Sequence, residues 1–111
     1  MCYIISGTVI HGDGYGRKLG FPTVNLDILA KDISAGVYAG IIILDNKAYK
    51  AGIAIDPQGK IDAHLIGYDG DAYGKEVSLE IKKFIREYKN FKTEAELIQQ
   101  IKKDIDICSQ E

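Results

Sequence analysis

The alternation of apolar and polar residues predicts short β-strands over most of the chain. Tyr3–Ile10 is rich in β-branched and aromatic residues, and residues 37–44 form a continuous apolar run typical of a buried strand. Asp45 and Asn46 form a turn pair, and Lys47–Ile55 returns as the second strand of a hairpin. Two later segments, 60–66 and 75–82, alternate with a period of two.

Residues 60–66 place Ile61, Ala63 and Leu65 on one face and Asp62 and His64 on the other. A carboxylate on an exposed strand face can accept a proton from a substrate hydroxyl, which makes Asp62 a candidate base. Composition singles out neither residue, and His64 is better explained as a histidine in the core or at its rim.

Residues 75–82 direct Val77, Leu79 and Ile81 toward the core. Phe84 breaks this parity, because a regular strand would place it on the polar face. The pattern therefore predicts a β-bulge near Lys82 and Lys83.

One amphipathic helix is predicted near the C-terminus. Thr93 followed three residues later by Glu96 is a capping-box signature for a helix start. Apolar residues then recur at helical spacing, at Leu97, Ile98, Ile101 and Ile105. Five or six short antiparallel strands followed by one helix indicate a mainly β fold, a closed or nearly closed barrel with the helix on its outside or across one end.

Composition narrows the class of protein. The 111 residues, 46% hydrophobic and 27% charged, suit one domain with an ordinary core. Cys2 and Cys108 have no metal-ligand spacing and suit two reduced thiols, although they would approach each other if the termini are close. The net charge of −2 argues against a generic nucleic-acid binder. The sequence has no apolar run long enough to span a bilayer and no signal peptide, so we expect a cytoplasmic protein that does not bind membranes. We also expect a monomer that binds no nucleic acid.

Two segments before residue 26 offer candidate phosphate and metal chemistry. The glycine stretch 12–20, with Gly12 and Lys18, can bring backbone N–H groups and cations to a polyphosphate, although a mobile loop explains it as well. Thr23 and Asn25 share one face of an extended backbone. Their neutral oxygens suit a Mg²⁺ whose charge is balanced by nucleotide phosphates, whereas local turn hydrogen bonding is the alternative.

Taken in order, these segments resemble the riboflavin kinase family. Residues 7–12 and 16–26 (GRKLGFPTVNL) look like the family's N-terminal signature, and residues 36–39 resemble its next block. Residues 62–74 resemble the block with the catalytic carboxylate, and residues 85–105 the C-terminal block. The resemblance covers almost the whole chain, and its PTxN motif in a glycine-rich context is the most specific part.

The resemblance implies a six-stranded antiparallel Greek-key β-barrel with one C-terminal α-helix, in one domain over residues 1–111. It implies phosphoryl transfer from ATP to the 5′-hydroxyl of riboflavin, giving FMN and ADP, with Mg²⁺ on Thr23 and Asn25 and Asp62 as catalytic base. The implied nucleotide-binding residues are Gly12, Lys18, Thr23 and Tyr73. The implied flavin-binding residues are Arg86, Lys89, Phe91, Glu96 and Gln99. For Glu96, helix capping is an alternative role.

Four positions depart from the family pattern. Asp62 stands where the family has Glu, Ala54 where it has Gly, Gln58 where it has Thr, and Gly67 where a larger residue is usual. These positions lie on or near the predicted catalytic strand, so they bear on turnover more than on fold.

Two competing functions stay open. They are a catalytically weak flavin- or nucleotide-binding relative and a small barrel without a ligand. Usual bacterial family members carry an adenylyltransferase domain ahead of this module, so the chain is either a stand-alone kinase or an excised domain.

Overall fold

A computed structural model describes residues 3–10, 23–68 and 72–110, which form a closed antiparallel β-barrel with one helix. The strands are β1 (Tyr3–Ile10), β2 (Val24–Leu29), β3 (Gly36–Leu44), β4 (Lys47–Ile55), β5 (Lys60–Leu65) and β6 (Glu76–Arg86), and the helix is α1 (Glu94–Gln110). The barrel closes in the order β1–β2–β5–β4–β3–β6. Because β3, β4 and β5 are sequential and β6 returns beside β3, the topology is a Greek key. The predicted fold class is confirmed.

Strand β2 is the strand that the hydrophobic pattern did not delimit. Leu26 is buried in the barrel and pairs with Val9 of β1, while Asn25 pairs with Asp62 of β5. Side chains alternate along β2, so Asn25 and Asp27 point away from the core. This strand therefore carries the predicted metal ligand to the outside of the barrel.

The barrel interior is filled mainly by β-branched and leucine side chains, which come from strands all around the barrel. Ile61, Ala63 and Leu65 are buried whereas Asp62 and His64 are not, as the alternation predicted. The largest side chains that are almost wholly buried in the barrel are Ile42, Leu44, Ile53, Ile55, Ile61, Leu79 and Ile81. Burying each stabilises the fold by about 1.5–3 kcal/mol relative to exposure.

The hairpin of β3 and β4 has an unbroken register from Gly36 opposite Ile55 to Leu44 opposite Lys47. Its two turn residues, Asp45 and Asn46, both have positive φ, at 52° and 65°. Two consecutive left-handed residues give the turn the twist that matches its flanking strands, and Asp and Asn tolerate that conformation better than most residues. The predicted hairpin is confirmed.

Strand β6 carries the predicted bulge and a second one. Ala39 pairs with Lys83 and Gly40 with Ile81, which leaves Lys82 as the extra residue. A further shift in register follows, at the level of residue 85. The two irregularities bring Phe84 edge-on against Tyr38, with 5.4 Å between ring centroids, and carry β6 on to Arg86.

Helix α1 packs on the outside of the barrel against β3 and β4. The Oγ1 of Thr93 accepts a hydrogen bond from the backbone N–H of Glu96 at 3.2 Å, so the predicted cap is confirmed. Cys108 lies on the buried face of the helix, so close to β4 that a Cβ on Gly52 would be 3.5 Å from its Sγ. No helix in the described ranges is both long enough and apolar enough to cross a bilayer.

Candidate active site

A cleft of about 910 Å³ lies outside the barrel, between the outer faces of β2, β4 and β5 and the segment that leads into α1. Its volume falls within the range of about 300–1,000 Å³ that is usual for small-molecule sites. One side is formed by residues of β2, β4 and β5, and the other by Arg86, residues 88–94 and the inner face of α1. The two sides come from distant parts of the sequence and meet because the helix folds back over β3 and β4.

The strand side, here called the sheet wall, contains Thr23, Asn25, Asp62 and His64. Asn25 and Asp62 are direct partners across β2 and β5, and the Asn25 Nδ2 donates to the Asp62 Oδ1 at 3.2 Å. Thr23 immediately precedes β2 and lines the same cleft. The structure thus brings both predicted metal ligands and the predicted base together at one place.

The donor chemistry of the sheet wall fits Mg²⁺. A threonine hydroxyl, an amide oxygen and a carboxylate are all hard oxygen donors, the type that Mg²⁺ prefers. Among the described residues, no cluster of three or more His, Cys, Asp or Glu side chains could hold a metal by itself. The wall therefore suits an ion that takes its remaining ligands from phosphate and water rather than from a protein cage.

The opposite side, here called the helix wall, is built around Arg86 and Asp104. The Arg86 Nε lies 3.0 Å from the Asp104 Oδ1, and its Nη2 lies 2.9 Å from Oδ2. Gln100 donates to the Asp104 Oδ1 at 3.0 Å from one helical turn away. Sequence reasoning missed Asp104, although its place in the apolar stripe of the helix, between Ile101 and Cys108, was a signal that it is buried.

Phe91 completes the helix wall beside two cations. The Arg86 Cζ lies 5.7 Å from the ring centroid and the Lys89 Nζ lies 5.4 Å from it, both within cation–π range. All three residues line the cleft, as three of the five predicted flavin residues. Glu96 and Gln99 are exposed on α1 and lie outside the cleft lining, so their flavin contacts stay predictions.

The predicted nucleotide residues are distributed less tightly. Thr23 lines the cleft, whereas Gly12 and Lys18 lie outside the described residues. Tyr73 is 54% exposed in the turn before β6 and is not part of the lining. The same turn is fixed to the end of β1, because the Gly74 N–H donates to the Val9 carbonyl at 2.9 Å.

Of the departures from the family pattern, only Ala54 joins Asp62 in the cleft. Ala54 is the direct partner of Asp62 across β4 and β5, and both line the cleft. Gln58 belongs to the turn between these strands, where its N–H donates to the Asp56 Oδ1. Gly67 follows β5 with φ of 84°, a left-handed conformation that favours glycine. Gln58 and Gly67 thus flank β5 at its two ends without lining the cleft.

Comparison with known proteins identifies relatives along the whole chain. A family model described as riboflavin kinase (Flavokinase) matches residues 1–111. The RNA-binding riboflavin kinase RibR of Bacillus subtilis is 36% identical over 111 residues, which cover 92% of this chain and 48% of that protein. The bifunctional riboflavin kinase/FMN adenylyltransferase of the same organism is 34% identical over 114 residues, covering 92% and 36%. The chain thus spans half or less of the length of these two relatives.

Solved structures share the fold. The riboflavin kinase of Trypanosoma brucei superposes with a TM-score of 0.77 at 19% identity, covering 98% of this chain and 76% of that one. A Streptococcus pneumoniae protein described as a macrolide-efflux protein superposes with a TM-score of 0.84 at 25% identity, covering 96% and 38%. With the family model matched over every residue, the chain belongs to the riboflavin kinase family.

Proposed function

We propose that residues 1–111 form a riboflavin kinase domain, which transfers the γ-phosphoryl group of ATP to the 5′-hydroxyl of riboflavin and yields FMN and ADP. The observation that carries this proposal is the hydrogen bond of 3.2 Å between Asn25 and Asp62, which joins a proposed metal ligand to a proposed base. An aromatic and cationic wall lies across the cleft from this pair. Family membership supports the same reaction.

In this reaction the sheet wall orients the phosphates and the acceptor hydroxyl. Thr23 and Asn25 would hold Mg²⁺, which supplies charge compensation for the phosphate oxygens when it is bound. Since Asn25 donates through its amide nitrogen to Asp62, its amide oxygen is the atom suited to the metal. Phosphoryl transfer needs little covalent chemistry from the protein, so positioning and electrostatics are the main contributions of these residues.

Asp62 is the proposed general base. Its carboxylate lines the cleft beside the proposed metal ligands, where it can accept a proton from the 5′-hydroxyl. Asp is one methylene shorter than the Glu of the family pattern, and a displacement of about 1 Å can cost about 10²-fold in rate. We therefore expect a slow kinase.

The helix wall is the proposed flavin site. A flat isoalloxazine ring can lie against Phe91 and the guanidinium plane of Arg86, since aromatic rings and guanidinium groups stack. Although one relative is named as RNA-binding, the net charge of −2 favours small-molecule substrates for this chain. A cytoplasmic location and a monomeric state stay predictions from the sequence.

The test is FMN formation from riboflavin and Mg-ATP, with Asp62→Asn as the paired variant. The amide cannot take up a proton, so we expect turnover to fall by about 10²- to 10⁴-fold while both substrates still bind. Riboflavin binding is followed by quenching of flavin fluorescence and nucleotide binding by calorimetry. Equal turnover above background in both proteins would exclude Asp62 as the base. Ligand binding with background turnover in both would favour a flavin-binding relative without kinase activity.

A further inference from the structure

Asp104 is the one buried polar or charged residue in the described ranges of the chain. It lies on the inner face of α1, and its side chain is 10% exposed against 22% for that of its partner Arg86. Both of its carboxylate oxygens accept hydrogen bonds, Oδ1 from Arg86 and Gln100 and Oδ2 from Arg86. This carboxylate is largely removed from solvent, and both of its oxygens are hydrogen-bonded.

Stability alone is a weak reason for this arrangement. Removing two charges from water costs several kcal/mol per ion, and well-packed apolar residues often stabilise a fold as much as a buried ion pair does. What an apolar pair would lack is orientation. Two parallel N–H···O bonds fix the plane of a guanidinium group.

The guanidinium group whose plane Asp104 fixes, that of Arg86, lines the cleft. Arg86 uses Nε and Nη2 on Asp104, and its Nη1 donates to the Glu87 carbonyl at 3.0 Å. With its charge compensated and three of its donors directed away, the guanidinium presents a flat surface that lies 5.7 Å from the Phe91 centroid.

We propose that Asp104 is a positioning residue for the flavin: it holds the Arg86 guanidinium, and through it Phe91, in the orientation that receives the ring. This inference rests on the proposed function. Gln100 supports it by donating to the same carboxylate. The residue acts on ring binding and leaves the phosphate chemistry at the sheet wall unchanged, so the two substrates should respond differently to its loss.

The experiment compares Asp104→Asn with Cys108→Ala. The first keeps the shape of the side chain and removes its charge. The second loosens the same helix four residues further on, beside Gly52, and serves as the control for a purely structural effect. Three quantities are measured: the KM for riboflavin, the KM for ATP, and the Arg86 Nε–H resonance by NMR, at a temperature where each protein is folded by circular dichroism.

We expect Asp104→Asn to raise the riboflavin KM about tenfold, as for a displaced binding group, with the KM for ATP unchanged. The Arg86 Nε–H resonance should shift and exchange faster with water in this variant and stay in place in Cys108→Ala. When Arg86 is already replaced by Ala, adding Asp104→Asn should change the riboflavin KM by less than about twofold, because the two residues act as one unit.

A riboflavin KM that rises no more in Asp104→Asn than in Cys108→Ala overturns the inference, as does an equal rise for both substrates. If Asp104→Asn fails to fold, Gln100→Leu removes one donor from the carboxylate and should raise the riboflavin KM by about two- to threefold; no rise overturns the inference. If the wild type binds riboflavin but forms no FMN, the proposed function fails and the riboflavin Kd replaces the KM as the readout. A wild type that binds no riboflavin overturns both.

Discussion

The two walls of the cleft are held in place by different forces. On the sheet wall, Asn25 and Asp62 are aligned by the backbone ladder of β2 and β5, and their side chains point away from the barrel core. On the helix wall, Arg86 and Asp104 are aligned by a side-chain ion pair between residues 18 positions apart. Substitutions on the sheet wall should therefore change the phosphoryl-transfer chemistry without changing stability, whereas substitutions on the helix wall should change flavin binding and stability.

The largest effect is expected for Asn25→Ala on the sheet wall. It removes a proposed Mg²⁺ ligand and the hydrogen bond to Asp62, so turnover should fall by about 10²- to 10³-fold. The melting temperature should stay within about 3 °C, because surface substitutions away from the core usually cost no more than about 0.5 kcal/mol. Steady-state FMN formation at several Mg²⁺ concentrations and a thermal melt check both parts.

Asn25→Asp sharpens this result, since it keeps an oxygen ligand but loses the donor to Asp62. A much smaller loss in Asn25→Asp than in Asn25→Ala would assign the effect to the metal rather than to the base. Turnover of Asn25→Ala within about twofold of the wild type would contradict the role of the sheet wall.

Arg86→Ala should lower both stability and flavin affinity. It leaves the Asp104 carboxylate buried without its cation, which costs about 2–3 kcal/mol, at or below the lower end for buried pairs because the Arg86 side chain is 22% exposed. Urea unfolding measures the loss. The matched control is Lys102→Ala, which removes an exposed cation from the helix that carries Asp104. Unchanged stability in Arg86→Ala would show that the helix wall does not depend on the ion pair.

The smallest effect concerns Ala54 and Asp62, which are cross-strand partners in the cleft. Relative to the family pattern, a methylene is missing from Asp62 and a methyl is present at Ala54, where the family has Gly. We expect Asp62→Glu alone to gain little, because the longer side chain meets the Ala54 methyl. The double variant Asp62→Glu with Ala54→Gly should raise turnover by about tenfold, because the longer side chain brings the base closer to the substrate hydroxyl.

A complete double-mutant cycle of FMN formation measures this coupling. Ala54→Gly alone provides the control for a general loosening of β4. If Asp62→Glu alone already gives the full gain, Ala54 does not restrict the base.

Most of the barrel follows from local pattern. The bounds of β1 and β4 were predicted as the structure has them, because their residue types, alternation and turn signals coincide. Strand β2 was not delimited, since its short run follows the glycine-rich segment and its place is decided by pairing with β1 and β5. The bulge predicted near Lys82 and Lys83 is confirmed, yet β6 runs on to Arg86 because its irregular ladder with β3 continues beyond that point.

The site was predicted unevenly for a related reason. Alternation placed Asp62 on the outer face, and the family resemblance singled out Thr23 and Asn25. Neither could show that Asn25 and Asp62 are bonded, because strand order is a tertiary property. Asp104 was not predicted as a site residue because its partner, Arg86, lies on β6. The two meet only when the helix packs over β3 and β4, which is again a tertiary property.

The continuous register of the β3–β4 hairpin has a consequence for how the chain folds. A turn of only two residues connects its two strands, so little loop entropy is lost when the hairpin forms. By contrast, closing the barrel joins Tyr3 to Ile81, 78 positions later in the sequence. Contacts of such long separation slow folding. We therefore expect the β3–β4 hairpin to be structured in the folding transition state and the β1–β6 seam to form last, so that the N-terminal strand is the part of the barrel most readily released.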